Sequence, residues 1–234
     1  MNWRKKAVSD IPIIYEDNHL LVVVKPPNML SQGDRTGDLD LLSILKQDLK
    51  IRYQKPGNVY LALIHRLDRP VGGLMVFAKT SKAAGRLNKQ FQKRSLGKTY
   101  LAVVHGKLAK PSARLVHYLR KDQRTNLVTC SETPIPGGKE GILSYQVLAE
   151  AAECSLVEVQ LYTGRSHQIR TQLAAIGHPI LGDHRYGRQE PGVSIALWAY
   201  QLEFIHPTTK EKLVFKRLPE AKYPWNLFEH CLNS

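Results

Sequence analysis

The chain has 234 residues, 43% of them apolar and 23% charged, the composition of a soluble globular protein with room for a sizeable core. No run reaches the about 18 apolar residues of a membrane-spanning helix, and MNWRKKAVSD at the start has basic residues but neither the apolar segment nor the small-residue cleavage site of a signal peptide. Thirty-four Lys and Arg against 20 Asp and Glu leave a net charge of +14, which attracts polyanions, nucleic acid first among them. The basic residues are spread along the chain, as on a folded surface that tracks a backbone; a basic surface with no dedicated partner is the alternative. Cys130, Cys154 and Cys231 are distant and odd in number, which favours a reducing compartment, the cytoplasm, over a disulfide framework.

In chain order, IPIIY and HLLVVV within Ile11–Val24 read as two short strands joined by Glu16-Asp17-Asn18, the second ended by Lys25-Pro26-Pro27. Ser31–Asp38 reads as a polar, mobile loop. Leu42, Leu45 and Leu49 have helical spacing within Leu39–Tyr53, and Lys55-Pro56-Gly57 stops that helix. The apolar runs Val59–Ile64 and Leu74–Ala78 then enclose His65, Arg66, Asp68 and Arg69, followed by Pro70 and Gly72-Gly73. Two strands joined by a charged, conformationally special loop are predicted, with one carboxylate between two guanidinium groups. Residue types alone leave Asp68 open to two readings, a surface ion pair or a catalytic group.

Thr80 or Ser81 caps a helix with Ala84, Leu87 and Phe91 on its apolar face and Lys82, Arg86, Lys89, Lys93 and Arg94 on the other. Lys98–His105 alternates as a strand containing Tyr100, a residue type that packs in strands more often than it catalyses. Arg114–Arg120 and Leu127–Cys130 read as shorter strands, Thr133–Gly141 as an exposed loop, and Ile142–Ala149 with Ser155–Tyr162 as the clearest strand pair. In Thr163–Gly187, Ile169, Leu173 and Ile176 give a helix face, and Gly177 is placed to end it. Arg165, Ser166 and His167 fall at that helix's N-terminus, which attracts anions, and Arg170 on its flank can reach inward to a carboxylate. The strands ALWAYQLEFIH and KLVFKRLP and a polar tail close the chain.

No spacing fits a zinc site, a P-loop, a dinucleotide fingerprint or a hydrolase elbow, and no second acid accompanies Asp68 as a glycosidase pair would require. HRLDRPVGG, KTYLAVVHG and GRSHQIR…LAAIGHPILGDHRYG, in this order over most of the chain, resemble the RluA family of pseudouridine synthases. The resemblance implies an α+β fold with a central, largely antiparallel mixed sheet, flanking helices and a central active-site cleft. It implies a catalytic domain over residues 11–220 between tails 1–10 and 221–234, in a form without an N-terminal S4 domain.

The family's activity, isomerisation of uridine in rRNA or tRNA to pseudouridine, is implied with it, by a cytoplasmic enzyme that works as a monomer with no cofactor, metal or membrane. By the same resemblance Asp68 is the essential catalytic residue, Tyr100 packs on the target base and takes part in proton removal, and Arg170 pairs with the aspartate. Arg66 enters the RNA stack vacated by the base, Arg165 is structural or contacts phosphate, and His65 and His167 join the RNA-binding set. The carboxylate attacks C1′ or deprotonates C2′; both routes need it ionised, and a neighbouring arginine opposes the desolvation that would protonate it. Two departures stand out: Val71-Gly72 lacks the hydroxyl common in relatives at that point, and Thr171-Gln172 replaces a frequent valine-histidine. A non-catalytic RNA-binding protein that keeps the cleft is the rival reading.

Overall fold

The computed structural model describes residues 11–92 and 97–233; the tail 1–10, Ser234 and the expected helix charges Lys93 and Arg94 lie outside the described residues. The chain forms two compact units, Met1–Leu96 with Gln201–Arg217 and Gly97–Tyr200 with Leu218–Ser234.

In the first unit, β1 (Ile13–Glu16) and β2 (Leu20–Lys25) form an antiparallel hairpin. Asp17 closes its turn by accepting the N–H groups of His19 and Leu20 at 2.7 and 2.6 Å. β2 pairs along its whole length with β4 (Gly72–Ala78), from Leu20 against Ala78 to Lys25 against Gly73. Both strands are buried throughout, as near-continuous apolar runs require. The short β3 (Ala62–Leu63) pairs antiparallel with the end of β4, so the predicted strand–loop–strand is present, with Gly72 and Gly73 inside the second strand.

Helix α1 (Leu41–Arg52) starts where the Asp40 carboxylate accepts the Ser43 N–H at 3.0 Å, two residues later than its apolar pattern starts. Its buried face is Leu41, Ile44, Leu45, Asp48 and Leu49. Leu42, expected in that face, lies on its flank, half-buried, because the inward row follows the 41/44/45/48/49 spacing. Helix α2 (Ser81–Gln92) is capped by Thr80, whose Oγ1 accepts the Ala83 N–H; Ala83, Ala84 and Leu87 are buried, and Lys82, Arg86 and Lys89 are exposed.

The second unit is an antiparallel run of β5 (Gly97–His105), β9 (Cys154–Leu161), β8 (Lys139–Ala151), β6 (Ser112–Lys121) and β7 (Val128–Ser131), paired in that spatial order. β8 begins three residues before its apolar stretch, which shortens the expected loop over 133–141. Helix α3 (Gln168–Ala175) ends in a Schellman motif: Gly177 at φ +84° donates to the Ala174 carbonyl and His178 to that of Leu173, each at 3.0 Å. β10 (Leu197–Ile205) contributes Leu197–Tyr200 to this unit and Gln201–Ile205 to the first, where it pairs with β11 (Lys212–Lys216). The polar stretch after residue 220 contains a 3-10 turn (Trp225–Phe228) and α4 (Glu229–Leu232); Trp225 and Phe228 bury their rings, which gives that stretch an apolar anchor.

Candidate active site

The loop between β3 and β4 carries Asp68 half-buried, its carbonyl accepting the Val71 N–H at 3.0 Å to close a turn. Leu67 beside it is buried. Gly73, where β4 resumes, sits at φ +120°, a conformation that excludes a side chain without strain. Nothing among the described residues explains Gly72.

The arginines on either side of Asp68 differ. Arg69 pairs with Asp38 at 2.7 Å, both half-exposed, the ordinary surface ion pair. Arg66 is exposed and has no hydrogen bond or ion pair among the described residues. His65 is packed: its Nε2 accepts the Val76 N–H at 3.1 Å, and its ring stacks on Phe91 with centroids 5.4 Å apart.

Beneath this loop lies a stretch that its polar composition disguises. Ser31, expected in a mobile loop, is buried and bonds Leu67 twice. Lys25, at the end of β2, is fully buried, and its ammonium donates to the carbonyls of Pro26, Met29 and Arg69 at 2.9, 2.7 and 3.0 Å. Burial pushes that ammonium down to about 7, opposed by the Asp68 carboxylate and reinforced by the Arg69 guanidinium.

In the second unit, Tyr100 is buried in β5, opposite Val159 of β9. Lys98, two residues earlier, is held below its usual pKa by burial. At the start of α3 no capping side chain precedes the helix: His167 sits at φ +51° and makes no side-chain cap bond. Gln168 reaches back instead, its Oε1 accepting the Thr163 hydroxyl at 2.8 Å and the Arg165 N–H at 3.0 Å. The exposed Arg165 donates from Nε to the Glu140 carbonyl at 2.9 Å. His167 Nδ1 lies 2.6 Å from the Tyr186 hydroxyl, which also accepts the Val128 N–H.

Arg170 is buried, and its Nε and Nη2 close a two-point grip on Asp183 at 2.8 and 2.7 Å, with the Tyr186 ring 5.1 Å from its guanidinium carbon. Asp183, 1% exposed, also accepts the N–H groups of Arg185 and Tyr186 through Oδ1. Burial pushes the Asp183 carboxyl up, and Arg170 with these N–H groups more than reverses it, leaving the group below the usual carboxylate range. Arg170 therefore reaches inward to the carboxylate of Asp183.

Asp183 and Tyr186 stand in the LAAIGHPILGDHRYG motif, which by itself does not mark them as groups that orient Arg170. An acid in the same motif, followed two and three residues later by N–H donors, was the available signal. The bonds of Lys25 to Arg69 and of Ser31 to Leu67 span more than thirty residues and leave no local signal.

A model of the RNA pseudouridylate synthase family matches residues 19–175. An uncharacterized RNA pseudouridine synthase of Bacillus subtilis (strain 168), YhcT, is 33% identical over 95% of this chain and 72% of its own length. The ribosomal large subunit pseudouridine synthase D of Nitrosomonas europaea is 34% identical over 88% of this chain and 61% of its own. Among solved structures, human RNA pseudouridylate synthase domain containing 4 superposes with a TM-score of 0.77 at 24% identity, over 97% of this chain and 95% of that one, a likeness of fold.

The chain belongs to the RNA pseudouridylate synthase family, in the RluA type that its motifs resemble. Its fold is the α+β pseudouridine synthase fold, a largely antiparallel sheet with flanking helices, and its activity is that of an isomerase acting on uridine in RNA.

Proposed function

We propose that the protein isomerises uridines of ribosomal RNA in the cytoplasm, as a monomer without a cofactor, with Asp68 as the essential carboxylate. The observation that carries this reading is the state of Asp68: half-buried, on a loop braced from below, with a guanidinium at Arg66, two residues away, that is bonded to none of the described residues. Relatives named for the large ribosomal subunit favour rRNA over tRNA as the substrate.

Tyr100 and Arg170 complete the catalytic set, and Arg66, Arg165, His65 and His167 the RNA-binding set. The reaction breaks N1–C1′, turns the uracil and joins C1′ to C5; N1 gains a proton and C5 loses one to solvent. The uridine must first leave its stack, at a cost of a few kcal/mol. The planar Arg66 guanidinium offsets part of this by stacking in the gap, and an aromatic contact such as Tyr100 offers contributes roughly 1–3 kcal/mol.

Loss of the C5 hydrogen supplies the assay. Wild-type protein releases tritium from C5-tritiated large-subunit rRNA transcripts, and Asp68→Asn binds the same RNA with its release reduced to background. Wild-type release no greater than that of Asp68→Asn, on rRNA and tRNA transcripts alike, overturns the reading.

A further inference from the structure

Helix α1 ends at Arg52, ahead of the Lys55-Pro56-Gly57 breaker, because Gln54 turns the chain at φ +48°. The turn is a Schellman motif: the Gln54 N–H donates to the Ile51 carbonyl at 3.2 Å and the Lys55 N–H to that of Lys50 at 3.0 Å. Glycine is favoured at such a position, since a β-carbon is strained in the left-handed region. The chain nevertheless keeps a glutamine there, and its exposed side chain makes no hydrogen bond among the described residues.

The loop over 53–60 begins and ends on a tyrosine, each 50% exposed. Tyr53 is tethered: its hydroxyl donates to Glu16 at 2.9 Å, and Lys79 Nζ, the Arg52 guanidinium carbon and Lys55 Nζ lie 5.1, 5.4 and 6.0 Å from its ring centre. Glu16 and Asp48 neutralise Arg52 and Lys79. Lys55 and the exposed Lys50 and Lys82 have no ion pair among the described residues, which leaves the surface there positive. Tyr60 has no hydrogen bond, ion pair or ring contact among the described residues, so its ring is open.

Tyr60 stands two residues before Ala62, which pairs with Ala78, so it shares with Tyr53 and Lys79 one end of β4. Asp68 precedes the other end, Gly72, and the strand between them is about 20 Å long. RNA with its target uridine at Asp68 therefore reaches this loop with nucleotides that flank the target. An open aromatic ring beside uncompensated cations is a surface on which unpaired bases stack while their phosphates are held.

We propose that the loop over 53–60 is a second contact for single-stranded RNA, in which Tyr60 stacks on an unpaired base flanking the target uridine, Gln54 hydrogen-bonds the edge of that base, and Lys55 and Lys82 hold the adjoining phosphates. Its place on the substrate rests on the reading of Asp68 as the residue that meets the target. The contact gives a use to a glutamine that backbone strain alone would replace by glycine.

The test is fluorescence anisotropy of a labelled 12-nucleotide oligouridylate in 50 mM KCl, with a 12-base-pair RNA duplex as second probe. Tyr60→Ala weakens single-strand binding about 5- to 30-fold and duplex binding by less than about twofold, whereas Tyr60→Phe, which keeps the ring, binds as wild type. Gln54→Gly weakens single-strand binding about 2- to 10-fold while raising the unfolding midpoint by about 2–4 °C. Tyr223→Ala, which removes a tyrosine 57% exposed elsewhere, keeps wild-type affinity. A 4-thiouridine in the 12-mer crosslinks under irradiation to the peptide that contains Tyr60.

Wild-type single-strand affinity in Tyr60→Ala, or an equal loss in Tyr60→Phe, overturns the proposal, and an inactive Asp68→Asn beside it leaves the catalytic reading standing. Tritium release by Asp68→Asn at the wild-type level overturns the catalytic reading, and a selective loss of single-strand binding in Tyr60→Ala then still places RNA on this loop.

Discussion

Asp183 decides how Arg170 behaves. Two of the arginine's nitrogens are spent on the carboxylate and its plane lies against Tyr186, so the guanidinium has one orientation. Removing one partner of a buried pair leaves an uncompensated charge. Asp183→Asn therefore costs about 3–5 kcal/mol in urea unfolding. Because the folded state holds the Asp183 carboxyl below its ordinary 3.8, the unfolded chain binds the proton first as pH falls. Its stabilisation is complete above that ordinary value and is lost as pH drops toward the lower folded one. Unfolding midpoints measured from pH 6 downward then show a shallower acid decline in Asp183→Asn than in wild type. At this scale the sequence was half legible: it presents Arg170 as an inward-reaching arginine, and its contact with Asp183 depends on how the turn after Gly182 folds.

The elements follow their local chemistry closely, and the departures have local causes. Gly177 was legible as the end of α3 because only a residue free of a β-carbon enters φ +84° without strain. Gly177→Ala accordingly costs about 1–2 kcal/mol in unfolding free energy, with the fold intact by circular dichroism. At the other end of the helix the prediction had no cap to find, since Gln168 closes the turn from inside and glutamine is not a capping type. Within the polar loop over 31–38, which is exposed from residue 32 on, Ser31 alone departs, for a related reason. Serine in a glycine-containing segment reads as solvent-facing, and the Leu67 backbone that buries Ser31 lies 36 residues on. Alternation and β-branched residues located β5 and β9, yet consecutive residues are buried in both, 99–104 and 154–157, so each strand is covered on both faces.

For the whole molecule, a net charge of +14 sets the salt response. Each phosphate neutralised on single-stranded RNA contributes about −0.7 to the slope of log affinity against log salt. RNA affinity measured by filter retention from 50 to 300 mM KCl falls along a line of several such increments, while single-turnover rates at saturating protein stay constant. A flat affinity line overturns the electrostatic account of RNA binding. Charge, class and motif order were legible at this scale before any coordinate, because they are sums and sequences of residue types. The brace beneath Asp68 was not, because the Lys25 and Ser31 side chains meet the Arg69 and Leu67 backbone only when the chain closes.

That brace also ties local stability to catalysis. Leu41 and Leu42, the first amides of α1, bond to the carbonyls of Leu30 and Ser31, and Ser31 in turn holds Leu67. Fraying of the helix start therefore releases the serine, and the serine releases the loop. Hydrogen exchange measured residue by residue is then expected to give the amides of Leu41, Leu42, Leu67 and Val71 a common free energy of opening, and separate values for Leu41 and Leu67 overturn the linkage. Substitutions in the first turn of α1, remote in sequence from Asp68, then change the fraction of time the enzyme spends competent.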